Sequence, residues 1–474
     1  MGLICSSNTK QPTFNEKELP TFSHNPNKII KEYRMEDCIA YLGPYYSVYK
    51  CTHLKTGRMF ALRKHMLSAK SEKTLLYELS LSQGLNHPSA IKVVEYFKTD
   101  LSLFIINELF DGKNLPQYVI DAPKFEEPEI VNIIRQLLAF VDYLHERQII
   151  NRNLTPANLM YNGQIVKVIN FNKAVRFKHG QRFSESASGI HYRAPEMIKG
   201  KYNSRVDVWA VGIIAAILLT GKPPFDGTND NGISQEILNK EITEELFKDH
   251  DLSQEALDFL KLILTKSKSK RPKARELLEH PWIKSLKPRG SNLKLNAEMV
   301  QNLKDFNFND KFQKAIYAFL VSRIANEEEK NKALKEFIKL DANGDGLLSK
   351  EEIITGLKTL SIPVDEKEAS RLFTNIDRKN AGVIEYKDFL EAFVDRRDIL
   401  QEDNLLSCFD LLDTNKVGGL TLEDLRKVFG DSVEDEYIKK KFRKYAKGNY
   451  INKEKFLKML KDVTANSKEV RRRK

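Results

Sequence analysis

The chain has 474 residues, 41% of them hydrophobic and 30% charged, which is enough for sizeable cores and too long for one at roughly 100–200 residues per domain. With 22 Gly, 16 Pro and only four cysteines, it is neither collagen-like nor wholly disordered. Cys5, Cys38, Cys51 and Cys408 include no CxxC pair, so neither a disulfide framework nor a cysteine zinc site is expected, and a reducing compartment is. The net charge of +12 favours anionic partners such as acidic lipid; no nucleic-acid partner is expected.

Met1-Gly2-Leu-Ile-Cys5-Ser6 fits the N-myristoylation pattern, with Gly2 exposed once Met1 is removed. Cys5 can take a second, palmitoyl chain. One such chain binds membranes marginally and two bind stably, so the expected location is cytoplasmic, peripheral on the cytoplasmic face of a membrane. No secretory signal is read. Residues 1–32 are polar and form a lead-in. Residues 33–283 read as one domain. Up to about Phe110, short alternating runs such as Ser47–Cys51 and Met59–Arg63 predict strands, with a helix over Ser71–Gly84. From Glu127 onward helical periods dominate, as in Ile130–Leu144 and Ser253–Leu264. Strands followed by helices predict an α+β domain of two lobes. Val208–Leu219 is the longest apolar stretch. It is too short for the ~20 residues of a spanning helix and reads as a buried one.

Residues 284–325 form a junction. Met299, Val300, Leu303 and Phe306 recur at helical spacing, as do Phe312, Ile316, Phe319 and Leu320, with Lys311 and Lys314 alongside. Basic amphipathic segments of this kind are targets of calmodulin-like grooves; an ordinary packing helix has the same pattern. Over residues 326–462, acidic Gly-containing loops begin at Asp341, Asp377 and Asp413, each preceded four residues earlier by Phe337, Phe373 or Phe409. A degenerate fourth lies near Lys444. A repeat of this length predicts tandem helix–loop–helix units, an all-α domain of paired EF-hands. A basic tail, 463–474, ends in VRRRK.

The first loop, Asp341-Ala-Asn343-Gly-Asp345-Gly346-Leu347-Leu348-Ser349-Lys-Glu-Glu352, fills the EF-hand pattern. Asp341, Asn343, Asp345 and Glu352 supply side-chain oxygens, Leu347 its carbonyl, and Gly346 the sharp turn. Calcium is the expected ion. The second loop has Lys379 and Ala381 at ligand positions and Asp388 at the last. The third has Val417 and Asp424. The fourth is two residues short and offers Lys444, Ala446, Lys447 and Lys455. Losing carboxylates removes the charge that holds a divalent ion, so these three are expected to be metal-free scaffolds. Residues 291–474 carry 36 Lys and Arg against 33 Asp and Glu, in keeping with that loss.

Gly189-Ile-His-Tyr-Arg-Ala194-Pro195-Glu196 resembles the segment that closes a protein-kinase activation loop. Asp207-Val-Trp209-Ala-Val-Gly212 resembles the helix start beneath its catalytic loop. Arg271-Pro272 and His280-Pro281-Trp282 resemble the end of the kinase helical lobe, where the family's Arg pairs with the Glu of the closing segment. A kinase-like domain joined to four EF-hand units resembles the calcium-dependent protein kinases of plants and protists. The resemblance implies a two-lobed protein-kinase fold, phosphoryl transfer from ATP with magnesium, and a junction that inhibits the kinase until its own EF-hand half captures it.

The positions that would carry this chemistry are altered. Phosphoryl transfer needs the phosphates covered and paired, magnesium held and the hydroxyl oriented. The glycine-rich loop aligns to Tyr41-Leu-Gly43-Pro-Tyr45-Tyr46-Ser-Val48, where Gly43 alone of the glycines remains and Tyr41 and Tyr46 obstruct the phosphates. Arg63 stands for the strand lysine and faces Glu78 of the expected helix; Lys64, its neighbour, points to the opposite face of a strand. Asn153 stands where the family has its base. An amide accepts no proton, and losing a positioned base costs ~10²–10⁴-fold. Asn170 replaces the magnesium-binding Asp, while Asn158, the other metal ligand, is kept. ATP and magnesium are therefore expected to bind poorly at Gly43, Val48, Arg63, Asn158 and Asn170. The sequence reads as a calcium-responsive, membrane-tethered pseudokinase acting as scaffold or relay with protein partners. The alternative is an active calcium-dependent Ser/Thr kinase.

Overall fold

The computed structural model describes residues 28–41, 46–121, 125–185, 187–285, 301–303, 306, 311–358, 366–377, 380–413, 417–429, 435–446 and 448–460. Gly2, Cys5, Gly43, Met299, Val300, Lys379 and the basic tail lie outside these residues. The chain falls into two compact units, the first built on residues 1–290 and the second on residues 291–341 and 347–474.

The first unit opens with five antiparallel strands: β1 (Tyr33–Tyr41), β2 (Tyr46–His53), β3 (Met59–Met66), β4 (Val93–Lys98) and β5 (Ser102–Glu108). Their order is β1-β2-β3-β5-β4. Successive side chains alternate across a strand, and both faces are used. Leu62 and Ile106 join Cys51, Phe60 and Phe97 on one face. Leu103 and Ile105 pack on the other with Leu76 and Leu79 of the helix Ala69–Gln83. That helix starts at Ser68, whose hydroxyl accepts the backbone N–H of Ser71, satisfying a donor that the first turn leaves unpaired.

A larger helical lobe follows. The helix Glu127–Glu146 begins with Pro128 and with Glu127 and Glu129 in its first turn, which suits the fixed φ of proline and the positive helix start. Its stripe of Ile130, Ile134, Leu137, Val141 and Leu144 is buried. The helix Arg205–Thr220 is buried nearly all round, as an apolar helix without a polar face must be. Gly212 allows this: a Cβ there would stand 2.7 Å from Leu264. Among the described residues no helix is long and apolar enough to cross a membrane.

In the second unit the sequence repeat becomes a structural one. The helices Glu327–Leu340, Glu366–Ile376 and Glu402–Leu412 each end with the backbone N–H of the loop's first Asp donating to the Phe carbonyl four residues back, at 2.9, 2.8 and 2.9 Å. Ala446 and Phe442 repeat the bond in the fourth copy at 2.7 Å. Glycine at the sixth loop position has φ of +76° at Gly346, +75° at Gly382 and +76° at Gly418, so the turn survives where ligands are lost. Leu347–Ser349 pairs with Val383–Glu385, placing Leu348 opposite Ile384. Leu420 and Ile451 pair the other two loops in the same way.

The described junction residues from Leu303 onward contribute to this core. Leu303, Phe306, Ile316, Leu320 and Val321 are buried in it. The helix Lys311–Ile324 packs against the helices Tyr386–Phe393, Glu402–Leu412 and Leu422–Phe429. The Tyr317 hydroxyl donates to the Val394 carbonyl at 3.3 Å, and the Asn302 amide to Phe393 at 2.8 Å.

Candidate functional site

The strand register brings the kinase-like positions together. Arg63 lies on β3 between Val48 and Ile105 and is almost fully buried. Its Nη1 donates to Glu78 Oε1 at 3.1 Å and its Nε to Asn107 Oδ1 at 3.0 Å. Burial works against the charged guanidinium, and Glu78 and Tyr46 outweigh it, holding Arg63 above its ordinary pKa. Lys64 points away, its Nζ 6.0 Å from the Phe104 ring, as strand alternation requires. At the position that the resemblance assigns to a phosphate-binding lysine stands a guanidinium already committed to a carboxylate and an amide.

Asn107 was not singled out from sequence, and neither was the pair behind it. Lys167 donates to Glu108 at 2.7 Å and to the Ala90 carbonyl at 3.2 Å. Burial alone would push the Glu108 carboxyl up, but Lys167 holds it below its ordinary value. A lysine between Val166 and Val168 was the available signal: a buried ammonium needs an anion.

Five asparagines gather on the loop side. The backbone N–H groups of Asn151 and Arg152 donate to Asp207 at 2.9 and 2.8 Å, and His145 Nε2 lies 3.0 Å from the same carboxylate. Asp207 thereby holds Arg152 at φ +63°, a backbone conformation that costs of order 1–3 kcal/mol in a non-glycine residue. The side chains then bond one another. Asn170 donates from Nδ2 to Asn158 Oδ1 at 3.1 Å, and Asn172 donates its backbone N–H to Asn170 Oδ1 at 3.0 Å. Asn153 Nδ2 donates to Asn172 Oδ1 at 3.2 Å. Asn158 Nδ2 donates to the Asn153 carbonyl at 2.9 Å. Both amide oxygens that would face magnesium thus accept hydrogen bonds from within the set, and none of the five carries charge. A divalent cation prefers charged oxygen ligands, so the donor set fits magnesium poorly.

The surrounding framework is intact. Arg271 donates to Glu196 through Nη1 at 2.6 Å and Nη2 at 3.0 Å, with Arg271 fully buried. This is the pair that the sequence resemblance implies. Arg152 donates to the Tyr202 hydroxyl at 3.1 Å and sits 3.6 Å from Glu185, two partners that sequence reading missed.

At the first acidic loop, Asp341, Asn343, Asp345, Leu347 and Glu352 lie on one turn opened by Gly346. The Asp345 backbone N–H donates to Asn343 Oδ1 at 2.8 Å. Glu352 Oε2 accepts from the backbone N–H and hydroxyl of Ser349, both at 2.8 Å, so the last ligand also caps its own exit helix. Among the described residues no three carboxylate, His or Cys side chains are gathered as a ready metal cage. The donors fit calcium by number and type, three carboxylates with an amide and a carbonyl. In the second and third loops the first aspartate is turned inward: Asp377 accepts from the N–H of Ala381 and Gly382 at 2.9 and 2.8 Å, and Asp413 from Val417 and Gly418 at 3.0 and 2.8 Å. Two such bonds leave each carboxylate further lone pairs, so what weakens these loops as ion sites is Lys379, Ala381 and Val417 at ligand positions.

Comparison with known proteins agrees with the fold. Residues 42–283 match the protein kinase domain family and residues 330–394 the EF-hand domain pair. The chain is 28% identical over 444 residues to calcium-dependent protein kinase 4 of Plasmodium berghei (strain Anka), covering 88% of this chain and 84% of the relative. It is 27% identical over 402 residues to calcium-dependent protein kinase 14 of Arabidopsis thaliana, covering 83% and 75%. With its two-lobed kinase domain and calcium-binding EF-hands, the chain belongs to the protein kinase family and is homologous to the calcium-dependent protein kinases.

Proposed function

We propose that the protein is a calcium-responsive pseudokinase, tethered to a membrane through Gly2 and Cys5, that relays calcium binding as a change of shape to protein partners. The observation that carries the reading is the asparagine set: Asn153, Asn158, Asn170 and Asn172 bond one another where phosphoryl transfer needs a base and charged metal ligands. The framework pairs Arg63–Glu78 and Glu196–Arg271 keep the fold a kinase fold without that chemistry. On this reading Asp341–Glu352 is the principal calcium site, and the buried junction helix is the element that calcium repositions. Its burial among the EF-hand helices supports capture by the chain's own second half.

The second reading, a working Ser/Thr kinase, draws on one observation: the Arg63–Glu78 pair at 3.1 Å keeps the strand–helix link of an assembled site. Ligand-dependent stability separates the two. A pseudokinase shows a rise in melting temperature with calcium and no magnesium-dependent rise with ATP, because ligands stabilise only the state that binds them. A clear magnesium-dependent rise with ATP would favour the enzyme.

A further inference from the structure

We infer that the helical lobe of the kinase-like unit carries a second ligand site, a basic cavity that takes a small molecule bearing two or more phosphates. The cavity has a volume of about 540 Å³ and is walled by four separate stretches: 142–146, 177–182, 203–205 and 273–275. None of the residues equivalent to the kinase cleft lines it. Its size is within the roughly 300–1,000 Å³ of small-molecule sites.

The charge of the walls chooses the ligand. Arg182, Arg205, Lys273 and Arg275 converge on the cavity against two carboxylates, Asp142 and Glu146. Arg275 pairs with Glu146 at 3.2 Å, but both are largely exposed, and such pairs are worth little. Arg182 and Lys273 have no acidic side-chain partner among the described residues. Arg205 is half-buried, donates to the Lys268 carbonyl at 3.5 Å and lies near the buried Arg271. Burial lowers its pKa, with Arg271 adding to the effect against partial relief from Glu276 and Glu196. A desolvated cation beside another cation is relieved by an anion. Guanidinium forks bind phosphate in two-point fashion, and four cations from three segments exceed what one phosphate engages. Asp142 and Glu146 then face any hydroxyl donors of the ligand, and the half-buried Phe177 covers its carbon frame.

The test is calorimetric titration of the full chain, in metal-free buffer, with pyrophosphate and tripolyphosphate. Tripolyphosphate should bind more tightly than pyrophosphate. The exposed double variant Arg182→Glu/Lys273→Glu should weaken tripolyphosphate binding at least tenfold. Lys31→Glu/Lys55→Glu, an equal change of charge on exposed residues of the other lobe, should leave it within twofold. Absence of binding by the unaltered chain, or an equal loss in both double variants, overturns the site in favour of general surface charge. So does retention of binding in Arg182→Glu/Lys273→Glu. A second arm uses neutral vesicles carrying a doubly phosphorylated lipid headgroup. Binding there that depends on Arg182 and Lys273 makes membrane lipid a source of the ligand, and binding of the soluble anion alone makes the source a free metabolite.

Discussion

At Asn153 and Asn170 an amide differs from a carboxylate by one oxygen for nitrogen, yet the exchange removes a proton acceptor and a metal charge together. Reversing it is not enough. In Asn153→Asp/Asn170→Asp, Arg63 remains held by Glu78 and Asn107, so phosphotransfer should stay at least ~10²-fold below that of an intact kinase site, the scale on which single positioned groups act; assay of the double variant against a generic peptide checks it. The buried pair Glu196–Arg271 is a stability element. Glu196→Gln leaves a guanidinium without its anion at 0% exposure, and denaturant unfolding should show a loss of about 3–5 kcal/mol. Thiol chemistry offers a probe of the sheet. Burial pushes the Cys51 thiol up to about 12, whereas Cys38 is exposed. Since the thiolate is the reactive form, alkylation of folded protein at pH 8 should mark Cys38 and spare Cys51, with mass mapping as the readout. Modification of Cys51 at the rate of Cys38 would show the β2–β3 core to be open.

Among the elements, the paired acidic loops decide how much calcium energy the second unit can use. Leu348 opposite Ile384 links the first loop to one that carries Lys379 and Ala381 at ligand positions. Titration calorimetry should therefore find about one ion per chain, lost in Glu352→Gln, because the closing carboxylate supplies two oxygens. Three or four tight sites would mean that other oxygens replace the ligands lost at Lys379, Ala381 and Val417. The junction helix is the other element with a measurable stake. Leu320 is fully buried, and Leu320→Ala should cost about 2–5 kcal/mol of unfolding free energy in the second unit. Element by element, the strands at Ser47–Cys51 and Met59–Arg63, the helix at Ile130–Leu144 and the three Phe-to-loop repeats were legible, because each rests on a local period or turn. Asn107, Lys167 and the inward bonds of Asp377 and Asp413 were not, since they depend on partners far along the chain or on backbone donors that carry no sequence mark. The junction pattern left capture and ordinary packing equally open; burial of Leu303, Phe306 and Leu320 in the EF-hand core is a tertiary fact.

At the scale of the whole molecule, the proposed function joins an anchor at Gly2, a calcium sensor and a kinase fold without phosphoryl transfer. The anchor is tested by Gly2→Ala, which removes the only acceptor for an N-terminal acyl amide. Cell fractionation should then move the protein from membrane to soluble fractions, since the basic tail alone provides weak, salt-sensitive binding; persistence on membranes would assign the anchor elsewhere. The kinase resemblance was legible in whole motifs, Ala194-Pro195-Glu196 and Asp207-Val-Trp209, because they build the fold. The catalytic substitutions were legible one by one, but only the structure gathers Asn153, Asn158, Asn170 and Asn172 into a single hydrogen-bonded set. The most direct test of the central claim is a phosphotransfer assay on the full purified chain with labelled ATP and magnesium, with and without calcium, beside an active calcium-dependent kinase. The amide set predicts no transfer above background in either condition, to peptide or to the chain itself. Calcium-stimulated transfer approaching that of the active kinase would contradict the account.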